Sequence, residues 1–82
     1  MEYYERFKDL REDHDLTQTQ IADYLGIKQT YYSKQERGIK PFQIEQIKQL
    51  CKYYRVSADY ILGLEENLNW PRKNNERKEN KK

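Results

Sequence analysis

The residues of this chain best suited to recognising another molecule through hydrogen bonds are Gln29, Thr30 and Lys34, in the stretch "KQTYYSKQERG" from Lys28 to Gly38. If the stretch is helical and Tyr32 points inward, a turn of about 100° per residue puts Thr30, Lys34 and Arg37 roughly opposite it, with Ser33 on the flank. Gln29 projects from the first turn. A glutamine amide pairs with an adenine edge through two hydrogen bonds, and a lysine donates to guanine O6 and N7, each good pairing discriminating by about 1 to 3 kcal/mol. Catalysis has no comparable set. With one His, one Cys, no Gly-rich phosphate loop and no Ser/His/Asp trio to assemble, the chain is not expected to be an enzyme. His14 stands in a charged loop without companion ligands and Cys51 falls on an apolar stripe, so neither a metal nor a cofactor is expected.

For that polar face to be presented, the segment before it must hold it. Thr17 followed by Gln20 is a capping box, in which the hydroxyl accepts from a first-turn amide and the glutamine reaches back to the cap. Ile21, Ala22 and Leu25 supply an inward face, and Gly26 stops the helix by taking the left-handed conformation at no steric cost. After Ile27 in the turn, a further helix runs from about Lys28 to Arg37, ended by Gly38 with Pro41 as a second barrier. Two short helices joined by a tight glycine turn, with the small Ala22 at their approach, form a helix-turn-helix over residues 17–37. Such a unit lays its second helix, here 28–37, in the DNA major groove.

The remaining elements follow from apolar spacing. Tyr3, Phe7 and Leu10 mark a helix from Glu2 to Asp13. Ile44, Ile47, Leu50, Cys51 and Tyr54 mark a helix from Phe42 to Tyr54, which is expected to be the spine of the core. Ser57 caps a short fifth helix carrying Tyr60, Ile61 and Leu62 and stopped at Gly63. Five helices with no period-two alternation predict an all-α, compact five-helix bundle over residues 1–64. Eight tyrosines are enough for a stacking surface for single strands, but Tyr3, Tyr32, Tyr54 and Tyr60 fall on inward stripes, leaving Tyr31 and Tyr53 as the exposed ones.

An 82-residue chain holds one domain near the lower limit of self-sufficient cores. The net charge is only +2, but it is unevenly placed. Residues 72 to 82 carry six Lys/Arg against two Glu, and residues 28 to 40 carry Lys28, Lys34, Arg37 and Lys40 against Glu36 alone. The polar basic tail, residues 65–82, is expected to be mostly disordered, since nothing apolar follows Trp70. Trp70 itself has three equal readings: packing on the fifth helix, a dimer contact, or mobility. With no apolar run of membrane-spanning length and no leader-like N-terminus, no membrane association is expected and a cytoplasmic location is the default.

The segments "LTQTQIADYLGI", "YYSKQERGIKP" and "CKYYRVSADYILGL" together resemble the phage repressor and Cro-type helix-turn-helix proteins, the XRE family, over about residues 3 to 64. The resemblance implies a lambda-repressor-like fold, use as a transcriptional repressor, and binding to two-fold operators on double-stranded DNA as a homodimer. Carried over by position, Gln29, Thr30 and Lys34 match base-reading positions and Gln18 matches a residue that clamps a phosphate. Lys28, Ser33, Arg37 and Lys40 fall near phosphates, with Tyr31 close enough to touch the backbone, though Arg37 and Lys40 read equally well as plain surface charges. Arg11 and Glu36 match a structural salt bridge between the first and third helices. One departure is Gln35, where members usually carry a large apolar or aromatic residue; Tyr32, where a β-branched aliphatic is common, is expected to compensate in volume. A competing reading is an antitoxin-like or adaptor module that binds a protein partner through its C-terminal tail.

Overall fold

The computed structural model describes residues 1–64. They form α1 (Tyr3–Asp13), α2 (Gln18–Leu25), α3 (Gln29–Glu36), α4 (Ile44–Tyr54) and α5 (Ala58–Leu62), and no strand occurs among the described residues. The expectations for the basic tail and Trp70 lie outside the described residues.

Capping chemistry sets the helix ends. At the start of α2, Thr17 Oγ1 accepts from the Gln20 amide at 3.1 Å and Gln20 Oε1 accepts from the Thr17 amide at 2.8 Å, the reciprocal pair expected from the sequence. Gly26 closes the helix at φ 73°. Only Gly26, Ile27 and Lys28 separate α2 from α3, so the second helix starts as soon as the chain has turned. Lys28 and Arg37 are the caps of α3 rather than members of it.

The core is assembled from every helix and one loop: Phe7, Ile21, Ala22, Tyr32, Phe42, Leu50, Tyr54 and Ile61. This corrects the expectation of a core carried by α4. The fourth helix starts at Ile44, not Phe42, and Ile44 is 75% exposed at its first position, whereas Phe42 is buried in the loop ahead of it. Phe42 is the hub, with its ring centroid 4.9 Å from Phe7, 5.9 Å from Tyr3 and 6.0 Å from Tyr32. The Phe42 amide donates to the Tyr3 hydroxyl at 3.1 Å, so the loop between α3 and α4 is tied to α1 by both packing and a hydrogen bond.

Tyr60 is a second correction. It is exposed, not inward, with the Arg6 guanidinium 5.2 Å above its ring centroid, while Ile61 alone fills the core from α5. On a helix of five residues only one side chain reaches the interior, and the cation over the ring lets the aromatic face remain outside. Tyr31 and Tyr53 are exposed as expected, and Tyr53 is joined at the surface by Tyr24, whose ring centroid lies 4.7 Å from its own.

Candidate nucleic-acid interface

Gln35 and Glu36, at the end of α3, are the two buried polar residues of the described chain. Both tie the helix to its neighbours. Glu36 receives Arg11 in a two-pronged arrangement, Nε to Oε2 at 2.6 Å and Nη2 to Oε1 at 3.1 Å. Arg11 also donates from Nη1 to the Leu16 carbonyl at 2.8 Å, so one guanidinium joins α1, the loop before α2, and the end of α3. The expected Arg11–Glu36 bridge is therefore formed. Burial would push the Glu36 carboxyl up, but Arg11 and Gln18, which donate to it, and the nearby Tyr32 hydroxyl outweigh burial and hold the group below the usual carboxylate range. Burial, followed by the neighbouring Glu36 charge, pushes the Tyr32 hydroxyl up, so it stays protonated beside the carboxylate.

Gln35 resolves the departure from the family pattern. It is fully buried, and its Nε2 donates to the Pro41 carbonyl at 3.0 Å and to Gln46 Oε1 at 2.7 Å. Gln46 Oε1 also accepts from the Gln43 amide at 2.9 Å, capping α4. A polar side chain thus replaces an apolar one by linking the last turn of α3 to the first turn of α4. The resemblance to the family marks Gln35 as a departure but gives no indication of these partners.

With its inner face pinned at both of these residues, α3 presents the rest to solvent. Gln29, Thr30 and Lys34 are exposed, as are Lys28 at the N-cap, Arg37 at the C-cap and Lys40 in the following loop. Tyr31 is at the margin of exposure and borders a shallow depression with Ile27, Lys28, Thr30 and Lys34. Ser33 is half-buried, and its carbonyl accepts from Arg37 Nε at 3.3 Å. The charge on this surface exceeds the local sequence sum. Glu36 faces inward and is matched by Arg11, so Lys28, Lys34, Arg37 and Lys40 make the exterior of the segment uniformly cationic.

Gln18, at the first position of α2, is half-buried and spans the two parts of the site. Its Nε2 donates to Glu36 Oε1 at 3.0 Å, and its Oε1 accepts from Gln29 Nε2 at 2.7 Å. The start of α2 and the start of α3 are brought together by this contact, which the sequence offered no means of seeing. Among the described residues no three His, Cys, Asp or Glu side chains are placed to hold a metal ion, and no helix is long and apolar enough to cross a membrane.

A family model described as helix-turn-helix matches residues 7–61. The chain is 39% identical over 62 residues to an HTH-type transcriptional regulator of Bacillus subtilis, YobD, the match covering 76% of this chain and 55% of the relative. It is 37% identical over 62 residues to the antitoxin PezA of Streptococcus pneumoniae, covering 76% of this chain and 39% of the relative. It is 30% identical over 64 residues to the cryptic phage CTXphi transcriptional repressor RstR of Vibrio cholerae, covering 77% of this chain and 58% of the relative. The chain thus spans between about a third and three fifths of the length of the curated relatives it matches. No solved structure matches it significantly.

Proposed function

The chain belongs to the XRE-type helix-turn-helix family of transcriptional regulators, and from that membership and the site's geometry we propose that it reads a specific double-stranded DNA sequence. The observation that carries the proposal is the outer face of α3, where Gln29, Thr30 and Lys34 are exposed together on a helix whose inner residues are buried or bonded. Those three residues contact base edges in the major groove. Lys28, Arg37 and Lys40, with Gln18, Ser33 and Tyr31 at the margins, meet the flanking phosphates and fix register without reading sequence. The protein acts in the cytoplasm as a repressor, excluding polymerase from an operator it occupies as a homodimer. Two-fold symmetry then places the half-site centres about 34 Å, or 10 to 10.5 bp, apart.

Selection of bound duplexes from a random library at two salt concentrations tests this. Recovery of a two-fold motif with that spacing supports the proposal; enrichment of nothing, with binding that vanishes as salt rises, refutes it. A second reading, that the bundle serves as an antitoxin-like module on a protein partner, is favoured by the 37% identity to a relative named antitoxin. Co-purification of a stable partner together with no duplex binding at low salt would select that reading instead.

A further inference from the structure

Hydrogen bonds have a direction, and in this site the direction is imposed from the interior. The Glu36 side chain is 1% exposed and both its oxygens face Arg11 donors at 2.6 and 3.1 Å, so it acts as an acceptor only. Gln18 must therefore turn its Nε2 toward Glu36, at 3.0 Å. Because the amide is planar, its Oε1 then faces the other way, where it accepts from Gln29 Nε2 at 2.7 Å. Gln29 is left with its Oε1 and one N–H for the groove.

We propose that Glu36 is a positioning residue that sets base identity: through Gln18 it orients the Gln29 amide to present one acceptor and one donor, the pattern complementary to an adenine edge. Adenine offers N7 as acceptor and N6 as donor in the major groove, whereas guanine offers two acceptors, N7 and O6. If the relay ran in reverse, Gln29 would accept from Gln18 and point both of its N–H groups outward, matching guanine. The same side chain at position 29 thus reads either purine, and a carboxylate two residues removed along the hydrogen-bond chain decides which. Gln18 keeps its second N–H for a phosphate oxygen, so clamping and relaying are compatible.

This inference rests on the DNA-reading function proposed above, and the test separates the two. Duplex selection is run on the full chain as wild type, Glu36→Gln, Gln18→Met and Gln29→Ala, with a circular-dichroism melt of each to establish folding. The position read by Gln29 is the one whose preference collapses in Gln29→Ala. Wild type is expected to enrich adenine there. In Glu36→Gln the new carbonyl, in the place of Oε2, keeps the shorter Arg11 Nε bond, while the new amide nitrogen, in the place of Oε1, gives up Arg11 Nη2 and donates to Gln18, reversing the relay, so the adenine-to-guanine ratio should shift by about tenfold toward guanine. Gln18→Met removes the relay and should bring adenine and guanine close to parity at that position, with the base opposite Lys34 unchanged. The inference is overturned if folded Glu36→Gln or Gln18→Met keeps the wild-type ratio, or if wild type does not prefer adenine at that position. Should Glu36→Gln fail to fold, Gln18→Met decides, because it leaves the Arg11–Glu36 bridge in place. A wild type that selects no motif overturns the DNA-reading function and this inference together.

Discussion

Replacing Arg11 with Met tests whether the junction of α1, α2 and α3 is held as the structure implies. The substitution keeps most of the apolar stem and removes the guanidinium, leaving Glu36 with Gln18 as its one side-chain donor. The side chains of Arg11 and Glu36 are 11% and 1% exposed, so this is a buried pair, and breaking such a pair from one side costs about 3 to 5 kcal/mol. A domain of this size has a total stability of about 3 to 10 kcal/mol, at roughly 0.05 to 0.15 kcal/mol per residue. The variant should therefore be partly or wholly unfolded at neutral pH, or melt at least about 12 °C lower. The pH dependence separates a stranded charge from lost packing. In the wild type Glu36 titrates below its unfolded value, so its contribution is present above the ordinary carboxylate range, near pH 4.3, and is lost as pH falls through the folded pKa. Without Arg11, burial dominates and the folded pKa lies above the unfolded one, so the deficit should be largest at pH 7 and should shrink toward about pH 4. Urea titration by circular dichroism at both pH values measures it. A loss under about 1 kcal/mol at pH 7, the scale of an exposed ion pair, or a loss equal at the two pH values, would refute the reasoning.

Three further predictions follow from individual contacts. Gln35→Met should change stability by less than about 1 kcal/mol by denaturant titration, because it fills the same volume, removes the buried Oε1 that has no partner, and leaves Gln46 and Pro41 within reach of water. Gly38→Ala should cost more than Gly26→Ala in the same assay. Both residues have positive φ, worth about 1 to 2 kcal/mol for a side chain, but a Cβ at Gly38 would lie 2.5 Å from Tyr4 Cζ while one at Gly26 meets nothing within 4 Å. Equal costs would mean that Tyr4 moves aside freely. In duplex binding, Lys34→Ala should relax preference at one base position, whereas Arg37→Ala should weaken all sequences alike and lower the salt slope by about 1. An unchanged preference in the first variant would remove Lys34 from the reading set.

Local signals in the chain were sufficient for the elements and insufficient for their depth. Thr17 with Gln20, Gly26, and Ser57 with Gly63 mark helix ends through interactions spanning a few residues, and those ends lie where that chemistry puts them. Ile44 and Tyr60 sit at the correct angle for an apolar stripe, yet both are exposed, because each lies at a helix end or on a helix too short to bury two faces. Periodicity describes direction around an axis, whereas burial also depends on where along the axis a neighbour ends. Phe42 shows the converse: a loop residue with no periodic partner became the hub because α1 and α3 both close over it.

The interface divides along the same line. That Gln29, Thr30 and Lys34 share an outward face follows from helix geometry alone, so those positions were legible. Which way the Gln29 amide points does not, because it depends on a path through Gln18 and Glu36 to Arg11, residues separated by up to 25 positions. Each link is a polar side chain that, taken by itself, suits an exposed helix face as well as a buried junction. The distinction arises only when Arg11 reaches Glu36: a carboxylate at the end of a surface helix would add a negative charge beside phosphates, but turned inward and neutralised it leaves Lys28, Lys34, Arg37 and Lys40 as the outer charges. The same contact that removes this charge from the surface also fixes the acceptor at the root of the chain, so the cationic surface and the orientation of the Gln29 amide have one structural cause. A substitution at position 36 that preserves folding should therefore separate them by its chemistry. Glu36→Gln keeps the outer charge and changes the amide's direction, and a shift in base preference without a change in salt slope is the signature to expect.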